Sequence, residues 1–319
     1  MSQSPPSVSV IVPAFNCRRY LGEALRSAIS QGPAIREVIV VDDGSTDGTS
    51  EIGRGFGPPV RVLRQGNRGP AAARNLGMAQ AHGDYFAFLD GDDVWLPEKI
   101  EAQTRFLASN DSAKFVFGNF LLWTPNEQGR ETQSAVDEKV QSIDTDAHVS
   151  GWIYPDLLLD SVVHTITVMF HRSVYDAVGG FDESLRTGED YDYWLRVSRK
   201  FEMHKLAKPL ARYRLHAGSI TKNALRESNE LKVLSSALER FGDKGPDGRA
   251  VEGDSLRRRF ARLWFDHGHL HYWNGDYAIA ADAFKNALAH ERSFRTSAYQ
   301  LVANFRARFV RSTVKIEVK

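Results

Sequence analysis

Short apolar runs alternate with amphipathic segments along the first third of the chain. Val8–Pro13 and Glu37–Val41 are rich in β-branched residues and lack polar alternation, which is typical of strands covered on both faces. Val60–Leu63 and Tyr85–Leu89 repeat the pattern, and an apolar stripe with helical spacing runs through Arg19–Ser30. Because strand and helix alternate four times, the sequence predicts an α/β fold with a Rossmann-like, mostly parallel central sheet.

Cap-forming and helix-starting residues predict further helices in this part of the chain. These helices begin near Ser45 or Thr46, span Pro70–Ala81, run from Pro97 to about Ser109, and cover Arg172–Gly179 and Glu189–Lys200. Phe115–Trp123 is predicted as a fifth strand and Lys205–Leu215 as extended chain. The polar, aperiodic Thr124–Ser150 is predicted to be a loop or flap.

The composition changes in the last third, where β-branched residues become scarce and Ala, Leu, Arg and Glu dominate. Residues 1–222 are therefore expected to form the α/β domain, and residues 223–319 an α-helical extension. Within the extension, residues 258–292 match the register of a tetratricopeptide repeat through Trp264, Gly268, Ala280 and Phe284. Because one repeat is fewer than the three usually needed for stability, a helical hairpin that packs on the main domain is favoured. A protein-docking or homo-oligomerising arm is the alternative.

The overall composition excludes several classes of protein. A formal net charge of +1 gives no reason to expect nucleic acid as a partner. The single cysteine, Cys17, excludes an internal disulfide framework and a cysteine-based zinc site. No signal peptide and no spanning helix is visible, so we expect a cytoplasmic protein, with peripheral contact at the inner face of the membrane left open.

An apolar strand, Phe86–Leu89, ends in three carboxylates: Asp90, Asp92 and Asp93. Crowded carboxylates repel one another unless a cation shares the site, and oxygen ligands suit Mg²⁺ or Mn²⁺. Because Mg²⁺ is usually held by one or two carboxylates plus phosphates, this segment indicates a metal-bridged diphosphate. An ordinary polar turn is the alternative. We expect Asp92 to hold the metal, with Asp90 on a ribose or a metal-bound water.

Loops that follow parallel strands meet at one edge of a sheet, so other polar segments should join this site. Asp42 or Asp43 is expected to face the ligand while Ser45 or Thr46 caps a helix. Arg74, one turn into a helix, could bind a diphosphate or be a solvated side chain on an Ala-rich helix.

Two segments of the second half carry further candidates for the chemistry. One carboxylate of the Gly188–Asp192 segment could be a general base, with Tyr191 and Trp194 offering flat faces near an acceptor. The alternative is that these acids only complement a helix dipole. His216 follows an extended run and could bind metal or phosphate, although a lone histidine is more often structural.

The set of motifs resembles the inverting family 2 glycosyltransferases with the GT-A fold. The matching segments occur in the family's order: Val8–Asn16, Val41–Asp47, Asn67–Asn75, Leu89–Asp93, Gly179–Glu183 and Gly188–Asp190. The resemblance implies a nucleotide-sugar donor, UDP-sugar favoured, a Mn²⁺ or Mg²⁺ ion, and a glycan or glycolipid acceptor. It implies Asp190 as the catalytic base and Asp92 with His216 as metal ligands. The donor-binding residues would be Pro13, Ala14, Phe15, Asn16, Asp42, Asp43, Asn67, Arg74, Asp90 and Gly91, and the acceptor-binding residues Glu189, Tyr191 and Trp194.

The expected function is transfer of a sugar to a hydroxyl group, in polysaccharide, lipopolysaccharide or glycolipid assembly. A nucleotidyltransferase is the enzymatic alternative, but it would need a Gly-rich, basic loop after the first strand, where this chain has Pro13–Cys17. A nucleotide-sugar-binding or protein-interaction module that uses the C-terminal hairpin is the other alternative.

Overall fold

The computed structural model describes residues 6–123, 149–216 and 225–314, with side chains up to residue 308. The predicted flap at Thr124–Ser150 lies outside these residues except for its last two positions. The chain forms two compact units. The first comprises Met1–Leu157, Ser161–Ser219 and Gly245–Asp247, and the second comprises Leu158–Asp160, Ile220–Lys244 and Gly248–Lys319.

One mixed sheet of eight strands organises the first unit, in the order β3-β2-β1-β4-β7-β6-β8-β5. The strands are β1 Val8–Ala14, β2 Ile35–Asp42, β3 Val60–Arg64, β4 Tyr85–Phe88, β5 Val94–Trp95, β6 Phe115–Trp123, β7 Met169–His171 and β8 His204–Arg214. β1 to β4 pair in parallel, as do β6 and β8, whereas β7 and β5 pair antiparallel to their neighbours. The predicted α/β fold with a mostly parallel sheet is confirmed.

Seven α-helices belong to the described part of this unit or cross its boundary. They are α1 Arg18–Ile29, α2 Thr49–Arg54, α3 Pro70–Ala79, α4 Lys99–Ala108, α5 Tyr154–Leu159, α6 Arg172–Val178 and α7 Glu189–Val197. α1 illustrates why they form: Leu21, Ala24, Leu25 and Ala28 recur at helical spacing and are fully buried. The helices follow strands, so the strand ends carry loops to one edge.

Two predicted helix starts are wrong. α2 begins at Thr49 and not at Ser45 or Thr46, because Oδ1 of Asp47 accepts the Thr49 backbone hydrogen bond at 3.0 Å and Gly48 turns the chain with a φ of 90°. α4 begins at Lys99 rather than at Pro97. The two short strands β5 and β7 were not predicted, since two or three residues show no period.

The second unit is helical. Its longer helices are α8 Asn229–Phe241, α9 Gly253–Trp273, α10 Tyr277–His290 and α11 Phe294–Val314. α9 and α10 form a hairpin in which Gly268 lies against Phe284, whose ring carbon would be 2.9 Å from a Cβ added at Gly268. Of the helices described, none combines the length and the apolar character needed to cross a membrane.

Candidate active site

The loop after β2 is ordered by a buried carboxylate. Asp42 is fully buried, and its Oδ1 accepts a hydrogen bond from the Ser45 backbone at 2.8 Å while its Oδ2 accepts one from the Ser50 hydroxyl. Burial acts to raise the pKa of Asp42, but these donors lower it below its ordinary value. Asn16, with a φ of 48°, binds the same loop, because its backbone nitrogen donates to the Ser45 hydroxyl at 2.9 Å and its Oδ1 accepts from Thr46.

The neighbouring carboxylate ties this loop to the start of α3. The backbone nitrogens of Arg68 and Gly69 each donate to Asp43 at 2.8 Å, and the Gln65 side chain donates at the same distance. Asp42 and Asp43 are thus both engaged by protein donors. Their contact with a nucleotide stays a prediction, and loop order is the role that the geometry gives them.

The three carboxylates after β4 have different surroundings. Asp93 is buried and accepts a hydrogen bond from the Arg214 backbone at 2.7 Å, while its second oxygen has no partner among the described residues. Burial, with the charges of Asp92 and Asp90, raises the pKa of Asp93 well above its ordinary value. The side chains of Asp90 and Asp92 are 28% and 34% exposed. Only these two carboxylates can therefore face a ligand.

Gly91 is needed for close packing and not for a left-handed turn, because its φ is not positive. A Cβ added at this residue would lie 2.8 Å from Sγ of Cys17 and 3.3 Å from the carbonyl oxygen of Pro13. A tight turn joins the acids, because the Asp93 backbone donates to the carbonyl of Asp90 at 3.0 Å, and the loop lies directly on the β1 loop, where the Gly91 backbone donates to Pro13 at 3.2 Å.

Arg214, at the end of β8, holds the acidic loop from the other side and was missed in the sequence. Its Nε donates to the carbonyl of Asp92 and its Nη2 to the carboxylate of Glu23, each at 2.6 Å. The guanidinium carbon lies 3.8 Å from the centre of the Trp123 ring and 4.8 Å from that of Tyr20. The buried cation therefore fixes the loop backbone without neutralising the Asp92 carboxylate directly.

His216 and Asp92 are brought together. Nε2 of His216 lies 2.8 Å from Oδ2 of Asp92, and the two side chains are 17% and 34% exposed. Among the described residues no group of three or more His, Cys, Asp or Glu side chains could hold a metal ion. The pair fits a divalent cation only if a ligand such as a diphosphate completes the coordination, as is usual for Mg²⁺.

Arg74 bridges the acidic loop and the start of α7. Its Nη2 donates to Asp90 at 3.0 Å and its Nη1 to Glu189 at 2.6 Å. Burial alone would lower the pKa of Arg74, but the carboxylates of Asp90, Glu189 and Asp190 raise it. Both terminal nitrogens are engaged by carboxylates and the side chain is 6% exposed. Arg74 is therefore not a solvated side chain, and it joins Asp90 to Glu189, while its contact with a diphosphate stays a prediction.

Asp190 is half-buried beside this bridge. Its Oδ1 accepts a hydrogen bond from the Tyr191 backbone at 2.8 Å, and its Oδ2 accepts one from the Thr165 hydroxyl at 3.1 Å. Next to it, burial raises the pKa of Glu189 to about 7 against the lowering effect of Arg74. Glu189 belongs to the buried ion pair and Asp190 is the more accessible carboxylate.

The acceptor-binding role predicted for the α7 side chains is not supported. Trp194 is fully buried and packs edge-on against Phe115 with ring centres 5.4 Å apart. Tyr191 is buried and donates its hydroxyl hydrogen bond to the carbonyl of Leu157 at 2.7 Å. Glu189 is buried as well. Tyr191 and Trp194 are enclosed by packed residues and Glu189 is paired with Arg74, so none of the three side chains presents an exposed face to an acceptor.

The remaining predicted donor-binding residues differ in the solvent exposure of their side chains. Pro13 and Ala14 are buried at the end of β1, so only their backbone lines the edge. Phe15 is 47% exposed. Asn67 is exposed, and its Oδ1 accepts a hydrogen bond from Arg186 at 3.2 Å.

Motifs that are distant in sequence meet beside the site. The Asn75 side chain forms two hydrogen bonds with the backbone of Phe181, at 2.8 and 2.9 Å. Gly180 permits this contact, because a Cβ there would lie 2.5 Å from Oδ1 of Asn75. Arg68 pairs with Glu183 at 2.5 Å. Two of the motifs that carry the family resemblance therefore form one packed unit.

This edge of the sheet combines an acidic strand end, a carboxylate–imidazole pair and a separate accessible carboxylate, an arrangement that suits an enzyme of the α/β class that binds a phosphorylated ligand through a cation. Glycosyl transferase family 2 matches residues 9–154. An uncharacterized glycosyltransferase of Rickettsia prowazekii is 32% identical over 233 residues, which cover 73% of this chain and 71% of that protein. The chain belongs to family 2 of the glycosyltransferases.

Other relatives vary in length. The glycosyltransferase TuaG of Bacillus subtilis, assigned to teichuronic acid biosynthesis, is 30% identical over 76% of this chain and 92% of its own. By contrast, the matched part is only 35% of a related Rickettsia felis glycosyltransferase. The expected family is confirmed, and the nucleotidyltransferase alternative is set aside.

Solved structures share the fold. Staphylococcus aureus TarS, solved with UDP-GlcNAc, has a TM-score of 0.61 and 18% identity, covering 95% of this chain and 87% of that chain. The mannosyltransferase PcManGT of Pyrobaculum calidifontis, solved with GDP-Man and Mn²⁺, has a TM-score of 0.56 and 19% identity, covering 98% and 87%. The predicted GT-A fold is confirmed.

Proposed function

We propose that this glycosyltransferase transfers a sugar, with inversion, from a UDP-sugar to a hydroxyl group of a glycan or glycolipid. The observation that carries the proposal is the Arg74 bridge, which joins Asp90 of the acidic loop to Glu189, the neighbour of Asp190. It brings the donor-side carboxylates and an accessible carboxylate to one site.

Asp190 is the general base in this proposal. It removes the proton from the acceptor hydroxyl as that oxygen attacks the anomeric carbon. The new carbon–oxygen bond forms on the face opposite the breaking bond to the diphosphate, so one displacement inverts the anomeric centre. No second carboxylate nucleophile is needed, unlike in retaining glycosidases. The partial exposure and the two neutral donors of Asp190 support this role, because they orient the carboxylate and leave it accessible to an acceptor hydroxyl.

Asp92 and His216 would hold a Mn²⁺ or Mg²⁺ ion together with the donor diphosphate. Such an ion supplies positive charge where negative charge gathers on the leaving group. The carboxylate–imidazole distance of 2.8 Å and the partial exposure of both side chains support the assignment. The PcManGT structure, solved with Mn²⁺, supports the choice of ion.

The donor and the product class rest on the relatives. TarS was solved with UDP-GlcNAc and PcManGT with GDP-Man, so both nucleotides belong in the test. TuaG is assigned to teichuronic acid biosynthesis, and hyaluronan synthase of Pasteurella multocida is 28% identical over 74% of this chain. These names favour polysaccharide assembly. A thermal-shift screen of UDP- and GDP-sugars with and without Mn²⁺ identifies the donor, since a bound ligand raises the unfolding temperature.

The test of the catalytic proposal is Asp190→Asn, with Asp192→Asn as the matched control. Asp192 lies on the same helix and pairs with Arg196 at 2.8 Å. Turnover is followed as UDP release from the selected UDP-sugar, with water as the acceptor. We expect Asp190→Asn to lower kcat by about 100-fold or more while donor binding is retained. Near-wild-type turnover of Asp190→Asn, with Asp192→Asn equally active, would overturn the assignment of the base.

A further inference from the structure

The hydroxyl of Thr165 is a buried donor aimed at the accessible carboxylate of the site. Thr165 is 5% exposed, and its Oγ1 donates to Oδ2 of Asp190 at 3.1 Å. The other carboxylate oxygen, Oδ1, accepts from the Tyr191 backbone at 2.8 Å. Each oxygen thus has one fixed donor, which determines the orientation of the carboxylate plane and leaves the remaining lone pairs for a substrate.

Thr165 does not lie on α7 but begins a short 3-10 helix, Thr165–Thr167. Side chains of β5 and α4 hold the backbone of this helix in place. Trp95 Nε1 donates to the carbonyl of Ile166 at 2.9 Å, and Gln103 Nε2 donates to the carbonyl of Thr167 at 2.8 Å. Both side chains are buried.

Lys99 completes this anchor. Its Nζ donates to the Gln103 side chain at 2.7 Å and lies 3.5 Å from the carbonyl of Val168. The ammonium group is also 4.2 Å from the centre of the Trp95 ring. Three buried side chains thus bind three successive carbonyls, those of residues 166 to 168, so the 3-10 helix has little freedom to rotate. Thr165 is consequently held at a fixed place relative to Asp190.

We propose that Thr165 is a positioning residue for the reaction, which orients Asp190, and that Trp95, Lys99 and Gln103 anchor it. This inference rests on the proposed role of Asp190 as the base. A general base must lie within hydrogen-bond reach of the hydroxyl that it deprotonates, so a fixed orientation of the Asp190 carboxylate favours turnover.

The charges around Asp190 come from three elements. Glu189 precedes it on α7, Asp90 comes from the acidic loop, and Arg74 comes from α3 between them. Removing the Thr165 hydroxyl leaves these charged groups in place, so a resulting loss of kcat reports the hydrogen bond.

The experiment compares Thr165→Val, which keeps the shape, with Thr165→Ser, which keeps the hydroxyl. Thr104→Val is the matched control, because that hydroxyl donates only within α4, to the carbonyls of Ile100 and Glu101. We expect Thr165→Val to lower kcat for UDP release by about 10-fold or more, the usual cost of a lost bond to a charged group. The KM for the UDP-sugar should change less than about twofold, since the lost bond acts on turnover and not on donor binding.

The split between kcat and KM and the rescue separate positioning from folding. In Thr165→Val kcat should fall while the KM for the UDP-sugar and the unfolding temperature stay close to wild type, and in Thr165→Ser kcat should return close to wild type. If Thr165→Val does not fold, Thr165→Ala provides the same comparison with a smaller side chain. Unchanged kcat in a folded variant that lacks the hydroxyl overturns the inference.

A double-mutant cycle with Asp190→Asn distinguishes failure of this inference from failure of the proposed function. If Thr165 acts through Asp190, Thr165→Val has little further effect in the Asp190→Asn background. An equal loss in both backgrounds contradicts positioning, whereas high activity of Asp190→Asn alone contradicts the assignment of the base.

Discussion

Two acidic segments of this enzyme look alike in sequence but offer different chemistry. In the Asp90–Asp93 loop, the most exposed carboxylate, Asp92, faces the imidazole of His216. At the start of α7, the accessible carboxylate, Asp190, receives hydrogen bonds from neutral donors, a hydroxyl and a backbone nitrogen.

The companion acids of both segments are engaged by the protein. Asp93 bonds to the Arg214 backbone, Asp192 pairs with Arg196, and Arg74 binds both Asp90 and Glu189. The difference between the two accessible carboxylates, Asp92 and Asp190, shows that the surroundings of an acid decide which chemistry it suits. A carboxylate beside an imidazole suits a cation, whereas one oriented by neutral donors suits proton transfer.

The largest effect is expected at the residue that the two segments share. Arg74→Met leaves Glu189 and Asp90 without their buried cation, which should cost about 3–5 kcal/mol of unfolding free energy. Arg105→Met is the control, because Arg105 and Glu101 form an exposed pair worth about 0.5 kcal/mol or less. Urea unfolding of both variants measures the difference. Equal losses would show that the two segments are not coupled through a buried cation.

The second prediction tests the cation side of the comparison. Asp92→Ala should lower turnover with Mn²⁺ by about 100-fold or more, because an ion that stabilises the leaving diphosphate contributes several kcal/mol. The unfolding temperature should stay near wild type, since the side chain is partly exposed. The exposed Asp111→Ala serves as the control. Full wild-type activity in excess chelator contradicts the metal site.

The smallest effect is expected at Tyr191, and it tests whether this residue of α7 has a structural role in the core. Tyr191→Phe removes the hydrogen bond to the carbonyl of Leu157 and should lower the unfolding free energy by about 1–2 kcal/mol. UDP release per folded enzyme should change less than about twofold, because the residue faces the core. A large loss of turnover at unchanged stability would instead return Tyr191 to the site.

Most of the sheet could be predicted because most of its strands are marked by a local run of apolar residues. β1, β2, β4 and β6 are long or strongly apolar, and their observed bounds lie within two residues of the predicted ones. β5 and β7 have only two and three residues, so their pairing depends on partners far along the chain. The contacts of Thr165 and Arg214 are also long-range, because their partners, Asp190 and Asp92, lie 25 and 122 residues away in the sequence.

The sequence alone determined the family, the α/β fold and the candidate acids of the site, since these follow from local periodicity and from motifs in order. It could not say which acids stay free, because burial and the pairing of charges are long-range properties. Only the tertiary structure assigned Arg74 to a buried bridge, turned Trp194 into the core, and brought the Thr165 hydroxyl to Asp190. The physical reason is that a side chain's chemistry depends on its neighbours in space, which the order of residues does not specify.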